Sequence, residues 1–195
     1  MDTARYIVAV LVWIGLPPAI VHWLIIHPFV GFWRKRGKAV TLAVVAGLFI
    51  GVGVALYLIR DLVLVREFGT HWSLWVAAAG AYVMSMGIEI QCRKHLKFKT
   101  LAGVPELEAD QSGRKLLDQG IYGRVRHPRY VGVTFGVLAM VLFANYLALW
   151  ILWPVTIVSL YVIVLLEERE LIASLGRVYE EYRERVPMFV PKGSR

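Results

Sequence analysis

One cysteine, Cys92, stands among 195 residues. The chain can therefore close no disulfide within itself, and no disulfide framework constrains the fold. No cleavable leader is expected either, because the first apolar run is too long for a signal h-region and lacks a small-residue cleavage site. No internal repeat or low-complexity stretch interrupts the chain. Acidic residues are scarce, 14 against 22 Lys and Arg, which leaves a formal charge of +8. That balance invites a nucleic-acid reading, but no nucleic-acid-binding module is present and the cations lie between apolar runs, so nucleic acid is not expected as a partner. No metal site is expected either.

Long apolar runs are what the chain has in abundance. Its hydrophobic fraction, 58%, exceeds that of an ordinary soluble fold, where apolar residues make up about half. Runs of roughly 18 or more such residues read as transmembrane helices. Tyr6 to Ile26 would rise about 32 Å as a helix, enough to cross the hydrocarbon core, with Pro17 and Pro18 expected to kink its middle. Ala39 to Ile59 carries Ala43, Gly47 and Gly51 at four-residue spacing, and Trp72 to Ile90 holds Ala77, Ala78, Ala79, Gly80 and Gly87. Small residues so spaced let membrane helices approach closely, so both stripes are expected to be packing faces. Tyr130 to Leu166, interrupted at Asn145 and Pro154, reads as a helical hairpin with its tip near Ala144, Asn145 and Tyr146. Its first arm, about 22 Å long, is short for a full crossing.

These runs predict an all-α, polytopic transmembrane bundle of about five spans. Residues 1–90 hold three of them, and residues 91–195 hold a polar segment, the hairpin and a charged tail, the whole forming one structural unit. The link after span one, the segment Gln91 to Arg129 and the tail Glu167 to Arg195 carry 4, 9 and 6 basic residues, against three (Arg5, Arg60 and Arg66) on the other side. By the positive-inside rule the N-terminus lies outside and the C-terminus is cytoplasmic.

Two polar clusters flank the hairpin. One runs from Gly120 to Gly132 and includes Tyr122, Arg124, Arg126, His127, Pro128, Arg129 and Tyr130. The other is Glu167-Glu168 followed by Gly176, Tyr179, Tyr182, Pro187 and Pro191. An antiparallel hairpin returns both clusters to one membrane face, where cations, an imidazole, phenols and carboxylates would converge. Bland readings stand beside this one. The arginines serve equally well as interfacial anchors, His127-Pro128 as a helix start, and the two glutamates as a solvated helix end. Successive helical residues point about 100° apart, so at most one glutamate is expected to face a given site squarely.

Taken together, Gly120-Ile-Tyr122, Arg126-His127-Pro128-Arg129-Tyr130-Val131-Gly132, the pair Glu167-Glu168, Gly176, Tyr179 and Tyr182 resemble the isoprenylcysteine carboxyl methyltransferase family. Related membrane methyltransferases acting on phospholipid amines or small thiols share the RHPxYxG and paired-Glu arrangement. The resemblance spans roughly Arg114 to Pro191 and implies S-adenosylmethionine as cofactor. It places Arg114, Lys115, Leu116, Leu117, Tyr122, His127, Pro128, Arg129, Tyr130 and Glu167 around that cofactor. Arg126 and Glu168 are the candidate catalytic residues, orienting an anionic acceptor and assisting a protonated one. The implied acceptor is a small lipophilic molecule bearing a carboxylate, thiol or amine, admitted from the membrane lipids. Members that methylate prenylcysteine carboxylates carry an arginine one helical turn before the first Glu, whereas this chain has Ile163, which cannot pair a carboxylate. Two other readings remain at this point: a membrane reductase of the sterol C14 type using NADPH, and a non-catalytic membrane scaffold.

Overall fold

The computed structural model describes residues 3–26, 28–94 and 116–191. Arg114, Lys115 and the stretch Thr100 to Glu106 lie outside the described residues. Among those that are described, the chain is helical and forms no strand beyond one isolated bridge. Helix α1 is Thr3–Ile26, α2 Val30–Arg36, α3 Lys38–Leu58, α4 Arg60–Val63 and α5 Trp72–Arg93. A 3₁₀ turn at Gly120–Gly123 precedes α6 (Pro128–Ala144), α7 (Leu147–Leu175) and α8 (Arg177–Arg185).

Helices α1, α3, α5 and α7 are each long and apolar enough to cross a membrane. The first arm of the hairpin, α6, is apolar but only 17 residues, about 25 Å. Four full-length helices and one short one match the five expected spans. The two prolines of α1 leave it helical to Ile26. Pro128 takes the first helical position of α6, where a missing N–H costs nothing, and Asn145 ends that helix in the left-handed region at φ 56°, ψ 48°. Tyr146 then opens α7, so the hairpin tip falls at the expected three residues.

The glycines that bring helices together are not those of the expected stripes. Nothing described lies within 4 Å of a Cβ placed at Gly47, Gly51, Gly80 or Gly87. A Cβ on Gly132 would instead sit 3.2 Å from Ile88 Cγ2, and one on Gly136 would sit 2.9 Å from Ser85 Oγ. Close packing of α5 on α6 therefore depends on the small residues of α6. A glycine spacing records where approach is sterically possible, while the partner helix decides which face is used.

The helices alternate in direction and define two ends. At one end, the hairpin-tip face, Arg5 of α1 is 2% exposed and tied to several elements at once. Its Nη1 bonds Thr70 Oγ1 at 2.6 Å and pairs with Glu67 Oε1 at 2.6 Å, while Nη2 donates to the Ala144 carbonyl at 2.8 Å. Glu67 and Tyr146 form an antiparallel bridge, and Asn145 Nδ2 donates to the Gly69 carbonyl. A buried core of Ala9, Val12, Val137, Val141, Ala144 and Leu149 lies beneath this lattice. The opposite end, the motif face, carries α2, the start of α6, the last turns of α7, and α8.

Candidate functional site

At the motif face, α7 runs on to Leu175 and then breaks at Gly176, whose φ of 56° and ψ of −134° few residues other than glycine adopt. The break turns α8 back against the end of α7. Tyr179 and Tyr182, three residues apart on α8, are thereby buried together with Val186. The spacing 167–168 on α7 and 179–182 on α8 thus serves one corner of the molecule.

Glu168 is the hub of that corner and is 4% exposed. Its Oε1 accepts from Arg126 Nε at 2.8 Å, from His127 Nε2 at 3.1 Å and from the Tyr179 hydroxyl at 3.3 Å. Its Oε2 lies 3.5 Å from Arg183 Nε. Because an ionised carboxylate can only accept, the hydrogen on His127 is assigned to Nε2. Arg126 also spends Nη1 on the Arg183 and Val186 carbonyls. The two residues expected to touch an acceptor, Arg126 and Glu168, are therefore sealed against each other and against α8.

Glu167 has different surroundings. Its side chain is 23% exposed, its Oε2 accepts from the Tyr130 hydroxyl at 2.8 Å, and His127 Nδ1 lies 3.7 Å away. As two successive helical residues, the glutamates point to different surroundings, one buried and one partly open. The His127 ring lies between the two carboxylates and presents one nitrogen to each.

A strap after α8 closes the corner. The Arg126 amide donates to the Pro187 carbonyl at 2.9 Å and the His127 amide to the Met188 carbonyl at 3.1 Å. The strap also lays Phe189 between His127 and Tyr161, with ring centroids 6.4 Å and 6.2 Å away. These contacts use main-chain atoms, so no residue type in the sequence announced them. Arg183 escaped notice for a related reason, since its spacing from Tyr179 is that of any amphipathic helix.

The remaining expected residues fall around the same corner. Pro128 is buried at the head of α6, and Arg129, in the same helical turn, is half-buried. Tyr122 is buried beside Cys92, and its hydroxyl lies within the field of Arg129. Leu116 packs under Tyr179, Tyr182 and Val186, and Leu117 is half-buried next to it. Burial pushes the Tyr122 and Tyr179 phenols well above their ordinary range, the charge of Glu168 adding to the effect at Tyr179. Burial likewise pushes Tyr182 up to about 12, so its hydroxyl stays a neutral donor and bonds the Tyr122 carbonyl at 2.7 Å. Among the described residues no cluster of His, Cys, Asp or Glu could hold a metal ion.

Two comparisons bear on this corner. The model of the family described as Phospholipid methyltransferase matches residues 72–178, more than half of the chain and the whole stretch from α5 to the start of α8. A methanethiol S-methyltransferase of Crocosphaera subtropica is 34% identical over 86 residues, which is 43% of this chain. The match covers 32% of that protein's length. No solved structure matches.

Proposed function

Because the chain belongs to the phospholipid methyltransferase family, and is thus an integral membrane protein with the helices for it, we propose that it methylates a small lipophilic acceptor with S-adenosylmethionine as donor at the corner where α6 meets the end of α7. The observation that carries this reading is the contrast between two adjacent carboxylates, one sealed into a structural hub and one left partly open on the far side of the same imidazole.

The residues present suit that donor. Its amine and ribose hydroxyls require an acceptor, and its carboxylate requires a cation or N–H groups. Glu167 has one oxygen held by Tyr130 and no partner for the other among the described residues. Arg129 supplies a half-buried cation in the first turn of α6, where unpaired N–H groups also favour an anion. Leu117 supplies apolar wall beside Leu116. Arg114 and Lys115 stay in this assignment on the motif alone.

When bound, the donor offers an electrophilic methyl group to a lone pair on the acceptor. That displacement disperses charge, so the protein gains little from an oxyanion hole and much from alignment and exclusion of water. Glu168 and Arg126 contribute by position: they fix the His127 ring, which in turn faces Glu167. Phe189 and the strap cover this arrangement on one side. At Ile163, one turn before Glu167, the side chain is wholly buried and apolar, so nothing there would pair an acceptor carboxylate. A prenylcysteine carboxylate therefore lacks the partner expected at that position, and the likeness to a methanethiol S-methyltransferase makes a small thiol the first acceptor to try.

The test is titration of purified protein with S-adenosylhomocysteine and with NADPH, followed by assays on a thiol, an amine and a prenylcysteine carboxylate. S-adenosylhomocysteine at 100 times its Kd is expected to stabilise the fold by about 2.7 kcal/mol, and NADPH to leave it unchanged. Stabilisation by NADPH alone would overturn the proposal.

A further inference from the structure

Away from this corner, the motif face holds a second feature. Helices α1, α2 and α3 border a small open cleft, walled by the apolar parts of His22, Ile25, Trp33, Val44 and Leu48. The cleft is built and held in shape. Trp33 of α2 donates its indole N–H to the Ile25 carbonyl at 3.2 Å, which pins α2 across the end of α1. Gly37 turns the chain at φ 83°, and Thr41 Oγ1 donates back to the Gly37 carbonyl at 3.0 Å, fixing the start of α3 against that turn. His22 is oriented by Trp23 and Phe49, with ring centroids 5.0 and 6.1 Å away.

Helix α2, which supplies Trp33 to the wall, is cationic on its exposed side. Lys35 and Arg36 are exposed on α2, with Arg36 lying 5.1 Å over the Phe32 ring. Phe29 and Phe32 are exposed aromatics beside them, placed as residues at a membrane–water boundary are. Between Thr3 and Arg60 the sequence contains no Asp or Glu, so these cations have no carboxylate of their own segment to neutralise them.

We propose that this cleft binds one anionic glycerophospholipid, an acyl chain lying along Ile25, Val44 and Leu48 and the phosphate at Lys35 and Arg36. An apolar wall under a cationic rim, at the depth where a bilayer changes from hydrocarbon to headgroup, matches both parts of such a molecule and neither part alone. The site is independent of the methylation reading. It shares no residue with the corner around His127, and it binds lipid whether or not the protein transfers a methyl group.

The experiment is native mass spectrometry of the full chain extracted from nanodiscs of phosphatidylcholine containing phosphatidylglycerol. One phosphatidylglycerol is expected to stay bound per protein, at least tenfold enriched over phosphatidylcholine. Two perturbations should each cut that enrichment several-fold: Leu48→Trp, which fills the cleft, and the pair Lys35→Gln with Arg36→Gln, which strips the rim. Val44→Phe serves as a second cleft-filling variant should Leu48→Trp fail to fold, with melting temperature as the folding control. Equal retention of the two lipids would overturn the proposal. So would full retention in a folded cleft-filled variant, since attraction to the rim alone would then suffice. Equal protection against unfolding by glycerol 3-phosphate, which has no chains, would also overturn it.

Discussion

Glu167 and Glu168 differ in sequence position by one and in circumstance entirely. Glu168 accepts three hydrogen bonds in the interior, and Arg126 would be left as an uncompensated buried charge without it. Glu168→Gln should therefore destabilise the protein by about 3–5 kcal/mol, read as a fall in melting temperature. Adding Arg126→Gln to it should cost less than the two single changes summed, because the pair act as one unit. Glu167→Gln should leave the melting temperature alone. If Glu167 gives the donor a charge-assisted hydrogen bond, its loss should weaken S-adenosylhomocysteine binding by about 10- to 150-fold, or 1.5–3 kcal/mol, in a calorimetric titration. Unchanged affinity in folded Glu167→Gln protein would remove that residue from the site. The sequence grouped these two carboxylates with the candidate site, since both stand in one motif. It could not reveal which was sealed, because that depends on Arg183 and on carbonyls of the strap.

Among the elements, the hairpin and the α5–α6 pair illustrate what a linear pattern conveys. The tip at Ala144 to Tyr146 was legible because Asn145 interrupts an apolar run, and asparagine tolerates the left-handed conformation the turn requires. The packing faces were not legible, because Gly47 and Gly136 look alike until a neighbour is known. Their substitutions should consequently diverge. Gly136→Leu has no space against Ser85 and should cost about 1–3 kcal/mol, while Gly47→Leu, with nothing described within 4 Å, should have little effect on melting temperature. Gly136→Ala is the informative intermediate. The atom in its way is a serine hydroxyl that can rotate, so the alanine should be tolerated, and Ser85→Ala should remove any residual cost.

At the scale of the whole molecule, the described charges divide unevenly between the two ends. Among the described residues, Arg5 is paired with Glu67 and Arg60 with Asp61 on the hairpin-tip face, whereas the motif face carries Lys35, Arg36, Arg126, Arg129, Arg177, Arg183 and Arg185. We expect the motif face to be cytoplasmic. A C-terminal fusion to a protein that fluoresces only in the cytoplasm should light up, and a dark fusion beside an active periplasmic-type reporter would reverse the assignment. The number of spans and their order were available from hydropathy. The closure of the bundle at its far end was not, because it joins Arg5, Glu67 with Thr70, and Asn145, which lie far apart in the sequence.

That arginine has a bearing on how the protein is assembled. Arg5 bonds the carbonyl of Ala144, 139 residues further along, and the lattice around it needs Glu67, Thr70 and the hairpin turn in place. Helix α1, made before α3, α5 and α6, is thus among the last of these helices to be locked. Until α6 has emerged, Arg5 lacks the Ala144 carbonyl, and Glu67 and Thr70 are the partners already made for it. A protein carrying Arg5→Leu should insert normally and reach the same topology, yet remain sensitive for longer to a membrane protease or to extraction by mild detergent, a delay that pulse-chase labelling would record.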